Sequence, residues 1–389
     1  MRGRGRPIAV AGYTCLDVIP ALGEVGFVLA PGHTRTIGPG RFSCGGAIGN
    51  TGLTLARLGL QPRLITILGD DDVGNFLMHQ LGRFADVVQL AVKQIAGEAS
   101  AYSLVLSAPG RDRSIFSFRG CNATMVAADI VGELTSDLGI LHFGYPNVME
   151  SMYADRGREL VALLDEARRQ KILTSVDLAG GAPQGVDWPA TMRSVLPAVD
   201  CFVPSWSELK EALGVEGPSD DDLDLSESSH MASIRSAADR ALDMGAGMVL
   251  VKLGARGMYL RTSPSIARLQ VLNELVEEAG SWCGQEIYLG ALAANVADTT
   301  GAGDAAIAGF LAGLSQGESA ATACKLAASA AAFCVEAVGG ASGVPLLETV
   351  LDRAVKQSLE LRALRLPSGW HWDLQTHCWR GPRPSASNQ

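Results

Sequence analysis

Apolar residues in this chain fall mostly in short unbroken runs. Residues 7–13, 63–68, 140–143, 173–176, 201–203 and 248–252 are each short, apolar and β-prone. That pattern predicts strands buried on both faces. Segments with helical spacing lie between them, at 75–83, 152–170 and 190–196. Strand–helix alternation from residue 140 onward predicts a mostly parallel sheet with helices on both sides, a three-layer α/β/α fold. Two stretches break the pattern. Residues 99–106 and 114–118 alternate around Pro109-Gly110 and predict a hairpin, while 22–43 is rich in Gly and Pro with weak β alternation. Together they predict a small antiparallel sheet outside the main fold. Further helices are expected at 51–58, 305–314, 325–336 and 347–364. Residues 272–292 carry no assignable pattern, and the acidic, serine-rich segment 217–230 reads as a solvated loop. The tail after Leu366 holds Trp370, Trp372 and Trp379 among several prolines. It is open to three readings: an arm on the body, an arm on a neighbouring subunit, or partial disorder.

Composition narrows the class. The chain has 389 residues, 47% apolar and 19% charged, which fits a compact α/β protein. A formal net charge of −9 argues against broad nucleic-acid binding but leaves room for a phosphorylated ligand at a local turn. No apolar run is long enough to span a bilayer, and residues 1–7 lack the apolar core of a signal peptide. A cytoplasmic location is therefore expected. The eight cysteines form no C-x-x-C pair and read as reduced core thiols.

The chemistry concentrates at Ala297-Asp298-Thr299-Thr300-Gly301-Ala302-Gly303-Asp304-Ala305-Ala306. A glycine turn there opens an apolar helix, whose unpaired N–H groups and positive dipole end favour an anion. Gly301 and Gly303 clear side chains from that position, and Asp304 sits in the first helical turn. An anion cradle beside a carboxylate suits phosphoryl transfer. Asp17 follows the first strand, in the next loop, where ligands of open α/β sheets collect. Gly45 and Gly46 allow close backbone approach, and Asn50 offers both a donor and an acceptor. Lys252-Leu253-Gly254-Ala255-Arg256-Gly257 ends a strand in glycines and suits a nucleotide. The run from Gly69 to Gly74 has P-loop-like spacing, but Asn75-Phe76 replace the required Lys-Ser/Thr; Asp70 to Asp72 read as a helix cap instead.

In sequence order these pieces resemble the ribokinase-like (PfkB-type) family of sugar and nucleoside kinases, over roughly residues 8–364. Asp298-Thr-Thr-Gly-Ala-Gly-Asp304 is similar to the family's C-terminal motif, and Gly45-Gly46 with Asn50 and Leu58-Gly59 to its N-terminal motif. The resemblance implies a kinase domain over residues 1–365, lid segments at about 14–44 and 98–120, and a tail over 366–389. It implies Asp304 as general base, with Gly301, Ala302 and Gly303 as donors to the transferred phosphate. Asp17, Gly45, Gly46 and Asn50 would bind the sugar. Lys252, Gly254, Gly257 and Thr300 would bind ATP, and Glu208 would act on Mg²⁺ indirectly. Asp298 and Thr300 match positions that in many relatives help hold a monovalent cation such as K⁺. The lid implies a homodimer contact. Three departures stand out: Ser205 replaces the asparagine of the family's Asn-x-x-Glu, the Asp-x-Asn-x-Arg pattern is reduced to Asp177-Leu-Ala-Gly-Gly181, and Gly144-Tyr145-Pro146 replaces an acidic loop. An ATP-dependent sugar kinase is the expected function, with a nucleoside kinase or a non-catalytic sugar- or nucleotide-binding regulator as alternatives. Gly301-x-Gly303-x-x-Ala306 imitates a dinucleotide fingerprint, but it follows polar residues 298–300 instead of an apolar strand.

Overall fold

A computed structural model describes residues 5–22, 31–34, 36–106, 114–181, 183–358, 361 and 364–382. The apolar runs become strands in the expected places. In chain order the strands are β1 (Ile8–Gly12), β2 (Thr14–Ala21), β3 (Gly38–Gly45), β4 (Arg63–Gly69), β5 (Gln89–Ile95), β6 (Tyr102–Leu106) and β7 (Ser114–Phe118). They continue with β8 (Ile140–Gly144), β9 (Leu173–Asp177), β10 (Cys201–Phe202), β11 (Met248–Lys252), β12 (Met258–Thr262), β13 (Glu286–Leu289), β14 (His371–Asp373) and β15 (Cys378–Arg380). Eleven of them form one sheet in the order β14-β15-β13-β12-β11-β10-β9-β8-β1-β4-β5. The run from β11 to β5 is parallel, and the edge from β12 to β14 is antiparallel.

Helices cover both faces. One face carries Leu53–Arg57, Ala302–Ser315, Ala320–Val335 and Leu347–Ser358; the other carries Glu150–Arg169, Trp188–Val195, Trp206–Leu213 and Ser228–Asp243. Ala302–Ser315 is buried along almost its whole length. It packs on Ala320–Val335 through glycines: a Cβ at Gly313 would sit 2.9 Å from the Ala323 Cα, closer than real Cβ atoms come. None of the described helices is long and apolar enough to cross a membrane.

The remaining strands form a second sheet in the order β3-β2-β6-β7. It is mixed, correcting the all-antiparallel expectation, because β2 and β6 run parallel. The two are far apart in the chain, so no tight turn imposes opposite directions on them. The turn at Pro109-Gly110 lies outside the described residues. Asp17 belongs to β2, correcting its placement in a loop: after a break at Tyr13 the chain extends again into the second sheet. The unassigned stretch 272–292 forms short 3₁₀ turns and then β13. Part of the tail packs on the body, as the β14–β15 hairpin pairing Ile287 with Arg380 and Tyr288 with Trp379. Asp71 caps the helix Asp72–Gly82 through the Gly74 N–H, at 2.8 Å.

Register gives the small sheet two unlike faces, because cross-strand partners share a side. Asp17 pairs with Ser43 and Ser103, and Ser103 with Ser117, so one face is polar. Val18 pairs with Phe42 and Leu104, and Leu104 with Phe116, so the other is apolar. Phe42 and Phe116 on that face are 57% and 55% exposed.

Candidate active site

The carboxyl ends of β1, β8, β9 and β11 lie along one edge of the parallel sheet, and two glycine turns border it. Gly301, with φ 75, caps Ala302–Ser315 at its N-terminus and places Asp304 in the first turn. Gly46, with φ 73, ends β3 beside Tyr13, where any side chain would collide with the Tyr13 carbonyl. A Cβ at Gly45 would likewise collide with the Asp17 carboxylate, so that glycine is what lets Asp17 lie against the turn. One turn of π-helix, Ile48–Gly52, follows; such turns recur at functional sites. It directs Thr51 at Asp304.

Asp304 is 8% exposed. Its Oδ1 accepts the Thr51 hydroxyl at 2.9 Å and the Tyr145 phenol at 2.6 Å. Burial pushes its carboxyl above the usual carboxylate range, while Tyr145, Lys252 and Thr51 pull it back. The Tyr145 phenol is held well above its ordinary range by burial and by the Asp304 charge, so it stays a donor. Asn50 also interacts with that phenol. Asn50 is thus joined to Asp304 through that phenol, while Asp17 and Gly45 adjoin each other and Gly46 adjoins Tyr13.

Lys252 adds a cation near Asp304. Its ammonium lies 2.8 Å from Asp177 Oδ1 and 4.0 Å from Glu208 Oε2, and its side chain comes within ordinary contact of the Gly303 position. Burial favours the neutral amine, but the surrounding carboxylates outweigh it and raise the Lys252 pKa. Glu208 also closes a capping box: its Oε2 accepts the Ser205 N–H at 2.6 Å, and the Ser205 hydroxyl accepts the Glu208 N–H at 3.3 Å. Serine at 205 therefore has a local purpose as an N-cap. Asp298 accepts the N–H groups of Thr300 at 2.9 Å and Gly339 at 3.2 Å; burial opposes its charge, but these bonds prevail and lower its pKa. The loop before the helix is thereby tied to the turn after Ala320–Val335.

Gly254 and Gly257 differ. A side chain at Gly254 would meet open space, whereas one at Gly257 would collide with the backbone at Leu289–Gly290. Packing alone explains Gly257, while Gly254 leaves room for a ligand. Sequence reasoning passed over Thr51 and Tyr145 as site residues and cited Asp177 only as part of a lost motif. Their usable signals were slight: Tyr145 directly follows a buried strand, and Asp177 ends one.

Comparison with known proteins bears on the family and the fold. A model of the pfkB family carbohydrate kinases matches residues 7–347. An uncharacterized sugar kinase of Archaeoglobus fulgidus is 24% identical over 291 residues, 75% of this chain and 98% of the relative. A fructokinase of Rhizobium leguminosarum bv. trifolii is 27% identical over 313 residues, 79% of each chain. The solved Arabidopsis thaliana ribokinase, complexed with ribose and ATP, is alike in fold, with a TM-score of 0.69 at 21% identity, covering 90% of this chain and 99% of its own. With the family model covering residues 7–347 of the 389, the chain belongs to the pfkB family of carbohydrate kinases.

Proposed function

We propose that this kinase transfers the terminal phosphoryl group of ATP to a hydroxyl of a small sugar or sugar derivative. The observation that carries the reading is Asp304 itself, a carboxylate in the first turn of a glycine-opened helix. It accepts hydrogen bonds from Thr51 and Tyr145 and lies within the field of the cation Lys252. Asp304 takes the acceptor proton as the hydroxyl oxygen attacks the γ-phosphorus; the bond to the bridging oxygen breaks and ADP leaves. The N–H groups of Gly301, Ala302 and Gly303 stabilise charge on the transferred oxygens. Lys252 steadies the phosphates, and Gly254 and Thr300 border the nucleotide, with Gly257 supporting the turn.

The donor set fits Mg²⁺ brought by the nucleotide. Among the described residues no three His, Cys, Asp or Glu side chains form a metal cage, and Mg²⁺ characteristically binds one or two carboxylates plus phosphates and water. Glu208 would hold it through water. When bound, it supplies charge neutralisation on the phosphates. A monovalent cation such as K⁺ beside Asp298 and Thr300 belongs to the same proposal. So does a homodimer through the apolar face of the small sheet, whose exposed Phe42 and Phe116 resemble an unfinished interface.

A coupled ADP-release screen tests the reading, using D-ribose, 2-deoxy-D-ribose, D-fructose, fructose 6-phosphate, 2-dehydro-3-deoxygluconate and adenosine, with Mg²⁺ and with or without K⁺. Asp304→Asn is expected to lower turnover on the best acceptor by about 10²–10⁴-fold while ligand-dependent melting persists. Turnover equal to wild type would remove Asp304 as the base.

A further inference from the structure

Tyr145 has an unusual backbone conformation at the N-cap of the 3₁₀ turn Pro146–Val148. It follows β8 directly with φ 69 and ψ 38, a left-handed conformation uncommon for a residue with a side chain. Pro146 comes next, and the residue before a proline is further biased toward extended backbone. Unusual backbone of this kind clusters where function over-determines it. Here the result is specific: the phenol lies 2.6 Å from Asp304 Oδ1, which already accepts Thr51 at 2.9 Å. Two donors engage one carboxylate oxygen. Oδ2 accepts no hydrogen bond from the described residues, and it is not among their fully buried unpartnered atoms.

We propose that Tyr145 is a positioning residue which, with Thr51, pins Oδ1 of Asp304 and leaves Oδ2 as the oxygen that takes the acceptor proton. This rests on the reading of Asp304 as the general base. The acceptor proton moves to Oδ2, and the phenol keeps its own proton throughout. A carboxylate held by one oxygen cannot rotate without giving up both donors, so the base meets the acceptor in one orientation. Other groups facing Asp304 are Lys252 on β11, Asp177 on β9, Glu208 on the helix Trp206–Leu213 and Cys334 on Ala320–Val335. None of them donates a hydrogen bond to Oδ1.

Difference infrared titration of the carboxyl band, each protein minus Asp304→Asn, reads the Asp304 protonation in the full chain without any acceptor. Tyr145→Phe is expected to move that titration up by about one pH unit, since a donor to the charged form is lost. 3-Fluorotyrosine at position 145 is a stronger donor and is expected to move it down. Thr51→Val should move it up by a smaller amount. On the best acceptor of the ADP-release screen, Tyr145→Phe should lower kcat on the order of tenfold, with KM for ATP within about threefold. A residue that only filled space would move neither titration in opposite senses. An unmoved titration in both Tyr145 variants, or shifts of the same sign, would overturn the proposal. So would a raised acceptor KM with kcat intact. Loss of turnover in Asp304→Asn alongside an unmoved titration would overturn the role of Tyr145 alone. Full turnover in Asp304→Asn would overturn the base itself.

Discussion

The cleft end of the central sheet and the four-stranded sheet treat charge and apolar surface in opposite ways. At the cleft, Lys252, Asp177, Glu208 and Asp304 are charged groups drawn out of water and held by one another and by hydroxyls. The small sheet instead shows a polar row on one side and, on the other, an apolar face that packs in part on the helix Asp72–Gly82 through Leu16 and leaves Phe42 and Phe116 mostly exposed.

The largest expected effect breaks the buried cluster. Lys252→Met leaves Asp177 as an unpaired buried carboxylate, and should cost about 3–5 kcal/mol in urea unfolding. Pairing it with Asp177→Asn should recover part of that loss, since the double change leaves no stranded charge. A loss below about 1 kcal/mol in the single variant would mean that the pair is solvated, and would erase the contrast with the small sheet.

A smaller effect tests the layer beneath the cluster. His142 on β8 lies in register with Ser175 and Cys201, its Nδ1 is 3.0 Å from the Ser175 hydroxyl, and its Nε2 is the buried side-chain atom without a partner among the described residues. Burial, with the Lys252 charge, lowers its pKa from 6.5 to about 3. The unfolded chain therefore binds a proton near pH 6.5 that the folded chain refuses until about pH 3, so stability falls as pH falls through that window. The contribution lost from pH 7 to pH 5 is about 2 kcal/mol. His142→Asn should flatten that part of the pH–stability curve, and an unchanged slope would mean that the imidazole titrates normally.

The smallest change in fold stability belongs to the outer face of the small sheet. Phe42→Ser with Phe116→Ser should alter the unfolding free energy of the monomer by no more than about 0.5 kcal/mol per site, because both side chains stand mostly in water. The same pair should shift the light-scattering mass toward the monomer. An undiminished dimer would move the interface elsewhere, and a large loss of stability would show that the face is already covered.

Legibility followed distance along the chain. The motif from Asp298 to Asp304 was readable because a glycine turn and a helix start are local events. The strands of the parallel core were readable because burial on both faces leaves unbroken apolar runs. Asp17 was recognised but put in a loop, since nothing local marks β2 as a separate strand that leaves the main sheet. Ser205 was noticed as a departure, and its capping bond explains the serine without appeal to metal. Thr51 and Tyr145 escaped because their partner lies 253 and 159 residues away. The β14–β15 hairpin escaped for the same reason: a short edge pair gets its meaning from β13, some 90 residues earlier in the chain.

By itself, the amino-acid order determined the alternation of strands and helices, the glycine turn that opens a helix and the acid beside it, because backbone geometry and periodicity act over a few residues. Only the folded chain decided which oxygen of that acid is held, which carboxylates surround Lys252, and which face of the small sheet leaves Phe42 and Phe116 mostly exposed. Those depend on side chains that meet only after crossovers have stacked distant strands edge to edge, and no local pattern carries the register of that stacking.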